Sequence, residues 1–143
     1  MEEPTISAMM EAYSLDAVDY AKSHFDITLD FTESSVEKVE LIVSKLYDSI
    51  PRSFLSKLFY DSPSEDEIET ISKVLGAYIG EVFIQEHGGV WGYNEQLLTL
   101  GIQSGDNWLF PCTKVFKRLT KGEEDSLICY SSEFMTQHRY SFS

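Results

Sequence analysis

Residues 75–91, "LGAYIGEVFIQEHGGVW", hold the feature that most restricts how this chain can fold: one hydrophobic period stops and another begins. Upstream, Ile68, Ile71, Leu75, Tyr78, Ile79, Val82 and Phe83 recur at steps of three and four, which predicts a helix from about 64 to about 87. Gly88-Gly89 then supplies a C-cap able to take positive φ. Beyond it "VWGY", "LLTLGIQ" and "NWLFP" are short and rich in aromatic or β-branched residues. The turn signals Asn94-Glu95 and Ser104-Gly105-Asp106 separate them. They read as a small antiparallel meander. A long apolar helix that hands directly into short strands must share its core with them.

That helix carries Gly76 and Gly80, four apart among large residues. A glycine in a helix interior costs about 1 kcal/mol relative to alanine, so two of them predict a close approach by another strand or helix. Glu81 and His87 are the residues nearest to chemistry. Their six-residue separation places them about 220° apart around a helix of 3.6 residues per turn. They share no face and form no HExxH-like pair. His87 followed by two glycines fits a cation at a helix C-terminus, where the dipole favours it. His24 and His138 fall near other predicted helix ends and take the same reading.

The rest of the chain argues for one α+β domain over 1–143. Residues 1–4 are a tail and 5–60 an acidic helical region. The central helix spans 62–88, the short strands 89–110 and C-terminal helices 111–139. In the first region Ile6, Met9, Met10, Tyr13, Ala17, Val18, Ala21 and Phe25 keep helical spacing, with Ser14 a possible break. "DITLDF" alternates and reads as a short strand or an extended lead-in. Ser34 with Glu37 makes a capping box for a helix lined by Val36, Val39, Val43, Leu46, Tyr47 and Ile50 and ended by Pro51. "SFLSKLFY" adds a short helical piece, and Ser62, Pro63 and Ser64 cap the central helix. "CTKVFKRLTKGEEDSLICYSSEFMTQH" reads as two helical pieces split at Lys121-Gly122.

Charge narrows the function. The chain has 24 acids and 11 bases, a formal charge of −13. Residues 1–70 hold 16 of those acids and 5 of the bases, so the acidity belongs to the first half. Such a surface repels phosphate backbones and anionic lipid, which argues against nucleic acid and membrane as partners and for a basic protein. Cys112 and Cys129 form no CxxC pair or Cys/His cluster, so no metal or other cofactor is expected, and two thiols suit a reducing cytosol. The N-terminus "MEEPTISAMMEAY" lacks the apolar core of a signal peptide, which also predicts a cytoplasmic location. No GxSxG, Walker A, dinucleotide-binding or kinase signature occurs, and the expectation is a protein that is not an enzyme.

The candidate partner-binding residues follow from acidity and aromaticity. Asp61, Glu65, Asp66, Glu67 and Glu69 surround the start of the central helix. Acids belong in a first turn, but this density exceeds what capping uses and fits docking to a basic partner. Trp91 and Tyr93, two residues apart on a strand, share a face and belong to the residue types favoured as interface anchors. Lys114, Lys117, Arg118 and Lys121 share one helical face, and internal pairing with acids such as Glu123, Glu124 and Asp125 is the reading for them.

"LGAYIGEV", "GGVW" and "FPCTKVFKRLTKGEEDSL" are similar to segments of a group of small bacterial proteins that resemble the immunity proteins of polymorphic toxin systems. The resemblance spans roughly residues 70–130 and carries no catalytic residues onto this chain. It implies an α+β fold and inhibition of a toxin. Together with the charge it leads to the expectation of an acidic immunity protein that neutralises a cytosol-acting toxin by occluding its active site. The alternatives are a small enzyme using Glu81 or a histidine in a cleft, and a soluble adaptor subunit.

Overall fold

The computed structural model describes residues 5–49 and 65–121, with the side chain of Glu65 outside that description. The fold is α+β, with helices α1 (Ile6–Phe25), α2 (Val36–Ser49), α3 (Glu65–His87) and α4 (Pro111–Lys121). A three-stranded antiparallel sheet in the order β1-β2-β3 is built from Val90–Asn94, Thr99–Ser104 and Asn107–Leu109. The helical piece read over 53–60, the caps at Ser62, Pro63 and Ser64, Ile50, Asp61 and everything read beyond Lys121 lie outside the described residues. No helix among the described residues is long and apolar enough to cross a membrane.

α3 is the axis of the molecule. Every residue from Leu75 to Gly80 is buried, so this stretch is enclosed on all sides. α1 lies along it in the opposite direction. Met10 shares a core cluster with Ala77 and Phe83 of α3, whereas Asp16, Asp19 and Tyr20 lie beside Thr70 and Ile71. The approach is set by small residues, because Ser14, Ala17 and Ala21 follow Met10 along the buried stripe of α1. α1 runs unbroken through Ser14, whose hydroxyl donates to the Glu11 carbonyl at 2.6 Å and so satisfies itself within the helix. Thr5 caps its first turn by accepting from the Ala8 N–H, and Asp26 ends it in the left-handed conformation at φ 54°.

The two glycines of α3 mark two crossings. A side chain at Gly76 would collide with the backbone of Cys112, at the start of α4, and one at Gly80 with the Trp91 indole and, at 2.9 Å, with Ile102 Cδ1. Helix and strand approach as the sequence predicts, one at each glycine. α4 then bridges α3 and α2: Val115 and Leu119 join the cluster that holds Val39, Ile42 and Val43 of α2 and Leu75 of α3.

Three local readings are resolved. Residues 26–32 form no strand; they are the extended lead-in, pinned by α3 rather than by a sheet neighbour. The Phe31 N–H donates to the Tyr78 hydroxyl at 2.7 Å, and Tyr78 and Ser35 are 2.6 Å apart. Ser35 donates its one proton to the Thr32 carbonyl. Tyr78 must therefore donate to Ser35, which fixes the direction of the whole chain of bonds. Burial raises the Tyr78 pKa, keeping the phenol protonated for that role. Second, the capping box at Ser34 is not used. A 3-10 turn, Glu33–Ser35, precedes α2, and the Asp30 carboxylate accepts from the N–H and hydroxyl of Thr32.

The third lies in the sheet. Leu97 and Leu98 belong to the β1–β2 connection rather than to β2, which starts at Thr99. Asn94 Oδ1 closes that connection by accepting from the Leu97 N–H at 2.9 Å, a local bond that competes with strand pairing. Across the strands Trp91, Ile102 and Leu109 are in register on the face toward the core. β2 and β3 are joined by Gly105-Asp106, where glycine supplies the positive φ of 63° that a two-residue hairpin loop requires.

Candidate partner-binding surface

The first residues of α3 stand at one end of the molecule. Asp66, Glu67 and Glu69 are exposed, as the acidic cluster predicts; Asp61 lies outside the described residues, and Glu65 opens the helix. Because α1 runs antiparallel to α3, its exposed Asp16 and Asp19 come to the same end. Among the described residues Asp16, Asp19, Asp66 and Glu69 form no ion pair. The acidic surface is therefore assembled from two segments about 50 residues apart in the chain. The sequence signal for the second segment is weak: two aspartates three apart in an otherwise mixed helix.

The hairpin returns to this end as well. Thr99 lines a groove of about 370 Å³ together with Glu69, Thr70 and Lys73 of α3 and Cys112 and Phe116 of α4. The β1–β2 connection just before Thr99 carries Leu97 and Leu98, 61% and 73% exposed, beside Tyr93 at 48%. Leu98 holds φ 54°, a conformation that side-chain-bearing residues rarely adopt. A strained leucine pointed at solvent is the kind of local conflict found where a surface serves something other than the fold.

Trp91 and Tyr93 share a strand face by parity but not an environment. Trp91 is 5% exposed. Its ring packs on Gly80, and its Nε1 donates to Glu81 Oε2 at 3.1 Å. The expectation that Trp91 anchors a partner is corrected: the indole is a core group, and Tyr93 alone of the two reaches solvent. Glu81 is thereby accounted for as the acceptor that satisfies a buried indole N–H.

His87 ends α3 with its ring 5.0 Å from Phe83 and its Nε2 3.5 Å from a Glu33 carboxylate oxygen, an ion-pair distance when the ring is protonated. The His24 ring lies 4.5 Å from that of Tyr20, tilted 31° to it, near the end of α1, and His138 lies outside the described residues. The basic face of α4 is split. Lys117 and Lys121 are exposed, whereas Arg118 is 1% exposed. Arg118 Nε meets Glu40 at 2.9 Å, Nη2 meets Ser44 at 2.6 Å, and the guanidinium lies 5.6 Å from the Tyr47 ring centre. Internal pairing is thus found for Arg118, with Glu40 and Ser44 of α2; Glu123, Glu124 and Asp125 lie outside the described residues. The Cys112 thiol donates to the Lys73 carbonyl at 3.6 Å, and burial pushes its pKa up to about 12. A thiol shifted this far is a weak nucleophile at neutral pH.

Comparison with protein-family models, with curated protein sequences and with solved structures gives no match. What the surface can do therefore rests on its own chemistry: exposed carboxylates at the same end as exposed leucines and a tyrosine.

Proposed function

We propose that this chain is an acidic binding protein without catalytic activity of its own. In this reading it neutralises a basic, cytosol-acting bacterial toxin by covering the toxin's active site. One observation carries it. The exposed acids of α3 and the apolar tip formed by Tyr93, Leu97 and Leu98 stand at the same end of the molecule. Apolar anchors surrounded by like charges make a recognition surface in which the apolar groups hold the complex and the charges steer approach.

The test is co-expression with the protein encoded by the adjoining reading frame. That protein alone should arrest growth, and this chain should relieve the arrest and co-purify with it. Replacing both Leu97 and Leu98 by Asp should abolish the relief while leaving the circular dichroism spectrum unchanged. Full relief by that variant, or arrest that this chain does not relieve, overturns the reading.

A further inference from the structure

The antiparallel pairing of α1 and α3 leaves a second groove at the acidic end, about 360 Å³ in volume. Tyr20, Ile71 and Val74 make its apolar floor, and Thr70 stands at its edge. Asp16 and Asp19, one turn apart on α1, form one rim. Ser23 and His24 complete the lining, which holds no lysine or arginine. The nearest base of α3, Lys73, is drawn off over the Tyr13 ring at 5.7 Å.

From this combination we infer that the α1/α3 groove receives an amphipathic helical segment of the partner, seating one apolar side chain on Tyr20, Ile71 and Val74 and placing lysines or arginines against Asp16 and Asp19. Complementary charge decides the occupant: an acidic or neutral segment leaves both aspartates facing nothing they attract, while a purely basic one wastes the apolar floor. The groove volume is near the low end for a binding pocket, which suits a side-chain anchor. Helix-in-groove docking reads apolar anchors at steps of three and four, and the Asp16–Asp19 spacing matches basic residues at the same steps on a facing helix. The inference rests on the proposed binding function and adds to it the kind of element recognised.

The first probe is a short fluorescein-labelled peptide that folds as a helix with leucines on one face and lysines on the other. Its control is the same composition scrambled so that no apolar face forms. Fluorescence anisotropy should show the patterned peptide binding at least about tenfold more tightly than the scrambled one. Amide chemical-shift changes should concentrate at Tyr20, Thr70, Ile71 and Val74. Thr70→Lys, which brings a positive charge to the groove edge, should remove most of that difference. The double variant Asp16→Asn and Asp19→Asn should weaken binding of the patterned peptide without unfolding the domain. Equal binding of the two peptides, or shift changes elsewhere, overturns the groove assignment.

A second arm separates this inference from the function on which it rests, using the co-purifying partner of the preceding experiment. If Thr70→Lys leaves the complex intact while the Leu97 and Leu98 replacements break it, the groove is refuted and the binding function stands. If neither set matters, both are refuted. Because Thr70 also borders the α3/α4 groove, loss of the complex in both sets supports both only if Asp16→Asn with Asp19→Asn weakens it as well, and an unweakened complex in that double variant refutes the α1/α3 groove.

Discussion

Trp91 occupies the space that a side chain at Gly80 would take, and its indole N–H reaches the Glu81 carboxylate at 3.1 Å. One helix thus offers a missing side chain and the next residue an acceptor, and together they seat the largest residue of β1 in the core. Ile102 closes the other side. The glycine is worth its helix penalty because it lets the sheet lie on α3.

Gly80→Ala should destabilise the domain by about 1–3 kcal/mol through overpacking, an effect only partly offset by the roughly 1 kcal/mol gain in helix propensity. Gly80→Leu should cost more. Glu81→Gln keeps an oxygen acceptor and should change little, whereas Glu81→Ala leaves the indole N–H unpaired and should cost about 1–3 kcal/mol. Urea unfolding followed by tryptophan fluorescence measures all four. Loss of partner binding in a folded Glu81→Gln protein would return that residue to the functional surface.

Glu40, partly buried, and Arg118, fully buried, form an ion pair that ties α2 to α4. Glu40→Ala should destabilise by roughly 3–5 kcal/mol, because it strands a desolvated guanidinium. The double variant Glu40→Leu and Arg118→Met should recover much of that loss, since both charges then leave the interior. A double variant no more stable than Glu40→Ala would mean that the pair acts through geometry that leucine and methionine do not reproduce.

Lys117 and Lys121 are exposed on the remainder of that helix. Alanine at either position should leave partner affinity nearly unchanged, because both residues belong to the α4 end of the chain's modest basic complement. A large loss of binding at constant melting temperature would move the interface to α4.

The Cys112 thiol, pushed up to about 12 by burial, should resist alkylation in the folded protein at pH 8 and react fully once denaturant is added. A Cys129→Ser background isolates the signal. The unfolded thiol has a pKa of about 8.5, so above that value the folded state holds a proton that the unfolded state has released. Stability contributed by this group is complete below about 8.5 and declines as pH rises toward 12. Rapid alkylation of the native protein at pH 8 would contradict the burial of this thiol.

Changing Glu65, Asp66, Glu67 and Glu69 to lysine should slow association with the partner far more than it speeds dissociation, as rim charges do. In the unaltered protein the on-rate should fall as salt rises, because a Debye length of about 8–10 Å at physiological ionic strength screens the approach. Surface-immobilised kinetics at two salt concentrations, with circular dichroism as the folding control, decides it. An on-rate that ignores the charge reversal would assign these acids to solubility alone.

Much of the fold is legible in the sequence because its signals are local. The stripe from Ile68 to Phe83 specifies a helix, Gly88 specifies its end, and Gly76 with Gly80 specify that something crosses there. What the tertiary structure alone decides is which surface does the crossing and where a covered face stops. Trp91 and Tyr93 have the same strand parity, yet α3 covers one and not the other. Arg118 looks like its lysine neighbours until Glu40, 78 residues earlier, is placed against it. Asp16 and Asp19 become part of the acidic end because α1 runs antiparallel to α3, and Leu97 and Leu98 leave the strand because Asn94 closes a turn around them. Periodicity reports which side of an element is apolar; it carries no information about the partner that buries that side, since such pairings are set by three-dimensional packing over long stretches of chain.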